Sequence, residues 1–185
     1  MFQKIELADM VQYIVYKANG IDFFRLFKIL YLANLHHLNT YGMPMLACEF
    51  HAYPSGPIPM VLFDCLKGYA SCDNELMERL VSRIQTGSMD ADSMLMADTP
   101  TRDEFLSPAV IETLDHAMAE NLHLSYLELK DKSCGTAWRT AIEQGQGTVI
   151  SVESMAAEAG VSSDQMDYIR EHLKIVRAMN EHQDK

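Results

Sequence analysis

The chain has 185 residues, 48% of them hydrophobic, and a formal net charge of −11. That length can bury a full core without a disulfide or metal staple. No apolar run reaches the ~18 residues of a membrane helix, and so acidic a chain repels phosphate backbones, which are bound by neutralising them with Lys and Arg. Residues 1–60 balance four bases (Lys4, Lys17, Arg25, Lys28) against four acids (Glu6, Asp9, Asp22, Glu49), so the whole excess lies after residue 60. A basic protein partner suits that distribution. The start, MFQKIELADM, has no signal-peptide core. Cys48, Cys65, Cys72 and Cys134 show no CxxC spacing. They are expected to be reduced thiols in a cytoplasmic protein.

Leu7, Met10, Val11, Ile14, Val15 and Ala18 recur at helical spacing, and Asn19-Gly20 is a natural stop. Asp22 is a good N-cap for a helix from Phe23 to about Tyr41, closed by Gly42. Apolar residues cover nearly all of its circumference, which predicts a central, buried helix. Met45 to Tyr53 reads as extended. Pro54, Pro57 and Pro59 then break the run, since each lacks an N–H donor. Helices are predicted from about Ile58 to Tyr69 and from about Asp73 to Gln85. Gly87 to Glu104 is polar and poor in periodicity, with one short strand over Ser93–Ala97.

Ser107-Pro108 opens a helix to about Glu120, with Ser as cap and Pro in the first turn. Ser125 caps a short helix through Lys130. Trp138 to Gln144 forms a brief one ended by Gly145. Ser151 begins another to Ala159, and Ser162 or Ser163 caps the last, which runs to about Glu181. The fold class expected is mainly α (α+β): a single compact helical domain over residues 1–185, built around a buried central helix with a small β element.

No strong chemical motif is present. Cys48-x-x-His51 with His36 and His37 has some ligand spacing, but zinc sites pair two such clusters, and adjacent His36 and His37 point about 100° apart on a helix. No P-loop, GxGxxG, GxSxG or HExxH string occurs. Cys134-Gly135 is the only trace of a nucleophile, with no His close in sequence. No metal, cofactor or catalytic residue is assigned.

Three segments carry a resemblance. Leu26-Phe27-Lys28-Ile29-Leu30-Tyr31-Leu32-Ala33 resembles a "KLqKLlYfA" helix. Phe50-His51-Ala52-Tyr53-Pro54-Ser55-Gly56-Pro57-Ile58-Pro59 resembles "feAWkyGPVvp". Leu106-Ser107, then Leu127-Glu128-Leu129 and Ala137-Trp138-Arg139, resemble an "Ls…W" pattern. Together they are similar to the Panacea domain of phage-associated GepA-like and SocA-like antitoxins, most strongly over residues 5–145. Tyr53 stands where that family usually has Trp, and the His that often precedes its Trp is absent. The resemblance implies a non-enzymatic, antitoxin-like module of a toxin–antitoxin or phage-associated system. Such a module neutralises a toxin by direct contact, and some members are thought to hand the toxin to a protease.

The residues that this resemblance marks for partner binding are Lys28, Tyr31, Tyr53, Gly56, Pro57 and Trp138. Gly56-Pro57 makes a rigid corner. Tyr53 and Trp138 are amphipathic anchors, open either to core packing or to a partner. Lys28 is expected to snorkel from the core with its stem buried. A polar pocket of Lys28, Tyr31 and the Gly56 corner is the alternative. Two other functions stay open. The first is a DNA-binding regulator using a helix-turn-helix-like segment over 151–181. Asp164 and Asp167 at the start of its second helix oppose that reading, while Arg170, Lys174 and Arg177 allow a basic stripe. The second is an enzyme of unknown chemistry.

Overall fold

The computed structural model describes residues 2–46, 48–86, 94–102 and 105–181. In chain order its first elements are α1 (Phe2–Lys17), β1 (Ile21–Asp22), α2 (Phe23–Tyr41), β2 (Phe50–Tyr53), β3 (Gly56–Pro59), α3 (Met60–Lys67) and α4 (Asn74–Val81). Then come β4 (Gln85–Thr86), β5 (Met94–Met96), α5 (Pro108–Asn121), α6 (Tyr126–Ser133), α7 (Thr136–Ile142), β6 (Val149–Ile150), α8 (Val152–Glu158) and α9 (Ser163–Glu181). The described residues are therefore mainly helical with a minor β component, as the periodicity predicts.

α2 is the centre. Asp22 caps it by accepting from the Arg25 N–H at 2.8 Å, and the Gly42 N–H closes it on the Leu38 carbonyl at 2.9 Å. Leu26, Ile29, Leu30, Tyr31 and Ala33 show no exposed surface. Each leucine or isoleucine among them contributes about 1.5–3 kcal/mol by leaving water. α1, α5, α6, α8 and β3 all touch α2. A helix surrounded in this way needs an apolar surface on every side, which is the pattern its sequence carries.

Among the described residues, two three-stranded antiparallel sheets flank the helices, in the orders β1-β5-β4 and β3-β2-β6. The second corrects the extended run predicted over Met45–Tyr53: the strand is confined to Phe50–Tyr53, and a second strand follows where the prolines were expected to end pairing. The register explains their tolerance. Ala52 faces Pro57 across the ladder, while the Ala52 N–H and C=O bond Thr148 and Gly147 on the other side. Pro57 therefore turns its nitrogen and carbonyl away from β2. β3 is an edge strand, where a missing N–H costs no ladder bond.

Smaller shifts concern ends. α1 begins before Leu7, and α3 and α4 are shorter than predicted because Gly68 and Ser82 close them. β5 agrees with the expected strand, although Ser93 itself lies outside the described residues. One expectation is overturned. Cys65 and Cys72 are joined as a disulfide across the α3–α4 turn, with Cα atoms 4.6 Å apart, so only Cys48 and Cys134 are free thiols. The turn creates a proximity that the seven-residue spacing does not announce.

Candidate partner-binding site

The three sequence segments singled out above converge on one corner. α2 supplies Lys28 and Tyr31, the β2–β3 hairpin supplies Tyr53, Gly56 and Pro57, and α7 supplies Trp138. Two hydrogen bonds tie them together. The Lys28 Nζ donates to the Pro57 carbonyl at 2.8 Å, and the Trp138 Nε1–H donates to the Tyr53 carbonyl at 3.0 Å. The outward carbonyl of an edge proline is thus the acceptor for a buried lysine.

Lys28 does not snorkel. It is only 1% exposed, and its ammonium lies inside, 4.9 Å from the centre of the Phe24 ring. No carboxylate pairs with it among the described residues. Burial pushes its amine down to about 7; the nearby Cys134 thiol opposes that shift and the Lys130 ammonium adds to it. Removing a charged group from water favours its neutral form in this way. A single interior acceptor and one aromatic face are what hold this amine in place.

Gly56 sits at φ +101°, a region that L side chains rarely adopt. A Cβ there would lie 2.9 Å from the Lys28 Nζ and 3.3 Å from the Ser133 Oγ. The glycine therefore serves both the turn and the close approach of α2 and α6. Lys28 thus meets the Gly56 corner, as in the alternative to snorkelling, but the space between them is tightly filled rather than open as a pocket. Tyr31 lies one turn along α2, fully buried and edge-on to Phe50 at 5.2 Å. Its hydroxyl has no hydrogen-bond partner among the described residues. Burial, with Glu158 and Cys134 acting the same way, holds the phenol above its ordinary range.

Tyr53 and Trp138 are both half-buried, and Pro54 and Arg139 beside them are exposed. The corner thus offers a rigid aromatic edge with hydrogen-bonded backbone behind it. His51 steadies the same hairpin through a 2.8 Å bond between its Nδ1 and the Gly147 carbonyl.

Glu158 is a residue that sequence reasoning missed. From α8 it accepts the Ala137 N–H at 2.6 Å and the Thr136 hydroxyl at 3.3 Å, so a carboxylate sits over the start of α7. Unpaired N–H groups and the positive end of the helix favour an anion there. A Cβ on Gly135 would collide with that carboxylate. No local pattern could announce a cap that comes from 21 residues downstream.

The other candidates do not assemble. His36 stacks on His116 with ring centres 3.9 Å apart, and the His37 Nδ1 lies 2.9 Å from the Thr113 hydroxyl. His51 is on the hairpin, and no three His, Cys, Asp or Glu groups are arranged for a metal among the described residues. No described helix is long and apolar enough to cross a membrane.

Comparison with known proteins adds one match. The family model described as antitoxin SocA-like, Panacea domain, aligns with residues 26–139. Its span opens two residues before Lys28 and closes one after Trp138, so every residue of the corner falls inside it. No curated protein and no solved structure matches the chain.

Proposed function

The chain belongs to the SocA-like antitoxin family with a Panacea domain, and on that premise we propose that it is a non-enzymatic antitoxin that neutralises a toxin by direct contact. The observation that carries this reading is the convergence of the three family-matched segments on the Lys28–Pro57 and Tyr53–Trp138 bonds. Such a corner does little as chemistry. As a binding surface it does two useful things: it fixes two large amphipathic rings with few free torsions, and it keeps their backbone from relaxing when a partner leaves. Aromatic anchors of this kind dominate many protein interfaces. The excess negative charge after residue 60 favours a basic partner and faster encounter.

The test is co-expression with the product of the adjacent small reading frame. The unmodified chain restores growth and co-purifies with that product. Tyr53→Ala and Trp138→Ala weaken the complex by more than their loss of melting temperature accounts for. Loss of melting temperature with undiminished binding would show that both rings serve only the core. The same strains separate two routes of neutralisation. A stoichiometric complex leaves the toxin's lifetime unchanged, whereas the handing of toxin to a protease shortens it.

A further inference from the structure

The family match ends at Arg139, but the chain continues into α8 and α9. α9 is held to the body along one stripe. Ile169 is buried, and Met166 and Leu173 are packed on the core. A second stripe faces solvent. Asp164, Tyr168, Glu171 and Ile175 follow one another at spacings of four, three and four, which places them on one helical face. All four are exposed, Tyr168 at 57% and Ile175 at 53%. Neither Asp164 nor Glu171 belongs to an ion pair among the described residues, whereas neighbouring Asp167 is engaged by Arg170 at 3.0 Å.

We propose that this stripe docks a basic amphipathic helix of the protein partner, with apolar residues at helical spacing and Lys or Arg between them. The inference rests on the reading of the chain as a protein-binding antitoxin and names the chemistry of the segment it grips. The argument is one of complementarity. Tyr168 and Ile175 stand two turns apart with more than half of their surface exposed, which gives a partner helix apolar area to cover. The carboxylates between them select a cover that brings cations. Helix-on-helix contact through anchors at such spacings is a common recognition mode. A second copy of the chain fits poorly, because the stripe holds no cation to meet its own acids. Duplex DNA fits poorly for the same reason: Asp164 would face phosphate.

The probe is a fluorescent amphipathic peptide of Leu and Lys, titrated against the full chain at low and high salt, with a Leu and Glu peptide of the same pattern as control. The Lys peptide binds and the Glu peptide does not. The exposed double variant Tyr168→Ser with Ile175→Ser weakens binding about tenfold, the scale on which an interface anchor is lost. Asp164→Asn with Glu171→Gln weakens it and flattens its salt dependence. Equal binding by the chain and both variants overturns the proposal. So does binding of the Glu peptide, or capture of a DNA duplex that depends on Arg170 and Lys174. The variants are also tested for toxin neutralisation. Full neutralisation after loss of peptide binding removes α9 as the docking element and leaves the antitoxin reading standing. Failure of the unmodified chain to neutralise sinks that reading, while the peptide result still decides the stripe.

Discussion

Lys28→Met replaces a buried amine by an uncharged side chain of similar length, and its effect should depend on pH. In the folded chain the Lys28 amine is pushed down to about 7 from its ordinary 10.5. Between those values the unfolded chain holds a proton that the folded chain has given up. Stability therefore rises with pH across that window, by at most about 1.4 kcal/mol per unit for one proton. From pH 7 to pH 9 the Lys28 contribution amounts to about 2 kcal/mol, since the folded amine is half-charged at the start and neutral at the end. Buried thiols and phenols held above their ordinary range, such as Cys134 and Tyr13, act in the opposite sense, because their contribution fades as the unfolded groups ionise. Subtracting the variant's curve from that of the unmodified chain isolates Lys28.

The variant also leaves the Pro57 carbonyl without its donor, which costs about 1–3 kcal/mol in a buried setting. At pH 7 this loss is outweighed or matched by removal of an amine that folding must neutralise or bury charged, so the variant should be at least as stable as the unmodified chain. At pH 9 the folded amine is neutral but the unfolded one still holds its proton, so part of that offset remains; relative to the variant, the unmodified chain should have gained about 2 kcal/mol since pH 7. Urea unfolding followed by far-UV circular dichroism at intermediate pH steps measures the difference. A difference curve that stays flat from pH 7 to pH 9 would refute the reasoning, since it would place the amine in water.

Gly56→Ala puts a Cβ on backbone at φ +101° and against the Lys28 ammonium; a loss of about 1–3 kcal/mol is expected, and Gly56→Val should lose at least as much. An unchanged melting temperature for either would contradict the geometry. Trp138→Phe keeps the ring packing but deletes the bond to the Tyr53 carbonyl, and should lower stability by about 0.5–1.5 kcal/mol. Glu158→Ala uncaps α7 and should cost about 1 kcal/mol, with Glu158→Gln recovering part of it; equal stability of all three proteins would mean that the cap contributes nothing. Association with a basic toxin should slow as salt rises, and a salt-independent on-rate would remove electrostatic steering from the account.

Much of the helical frame was legible because its signals are local. Asp22, Ser107, Ser125 and Ser151 each accept a backbone N–H from three residues on, the bonds their sequence positions predict. The all-round apolar character of α2 likewise announced its burial. What could not be read depends on distant parts of the chain. β3 was hidden by its own prolines, whose tolerance follows only from an edge position. The burial of Lys28 was hidden because a lysine in an apolar helix ordinarily reaches water; here the hairpin closes over its tip and supplies an acceptor. Cys65 and Cys72 meet only once the α3–α4 turn is built. The corner residues were named through a family likeness rather than through chemistry, and the geometry adds why those residue types suit their places.

The structure also changes what the family match can be taken to delimit. The aligned span stops at Arg139, yet two supports of the matched corner come from beyond it. β6 pairs Val149 and Ile150 with His51 and Phe50 of β2, and Thr148 accepts the Ala52 N–H. Glu158 reaches back from α8 to cap the helix that carries Trp138. These contacts hold the hairpin from the side opposite Lys28, so the rings at the corner are braced from both flanks. The segment after Arg139 is thus part of the scaffold as far as α8, and α9 beyond it carries the exposed stripe. Scaffold and exposed stripe are joined by the short turn between Glu158 and Ser163.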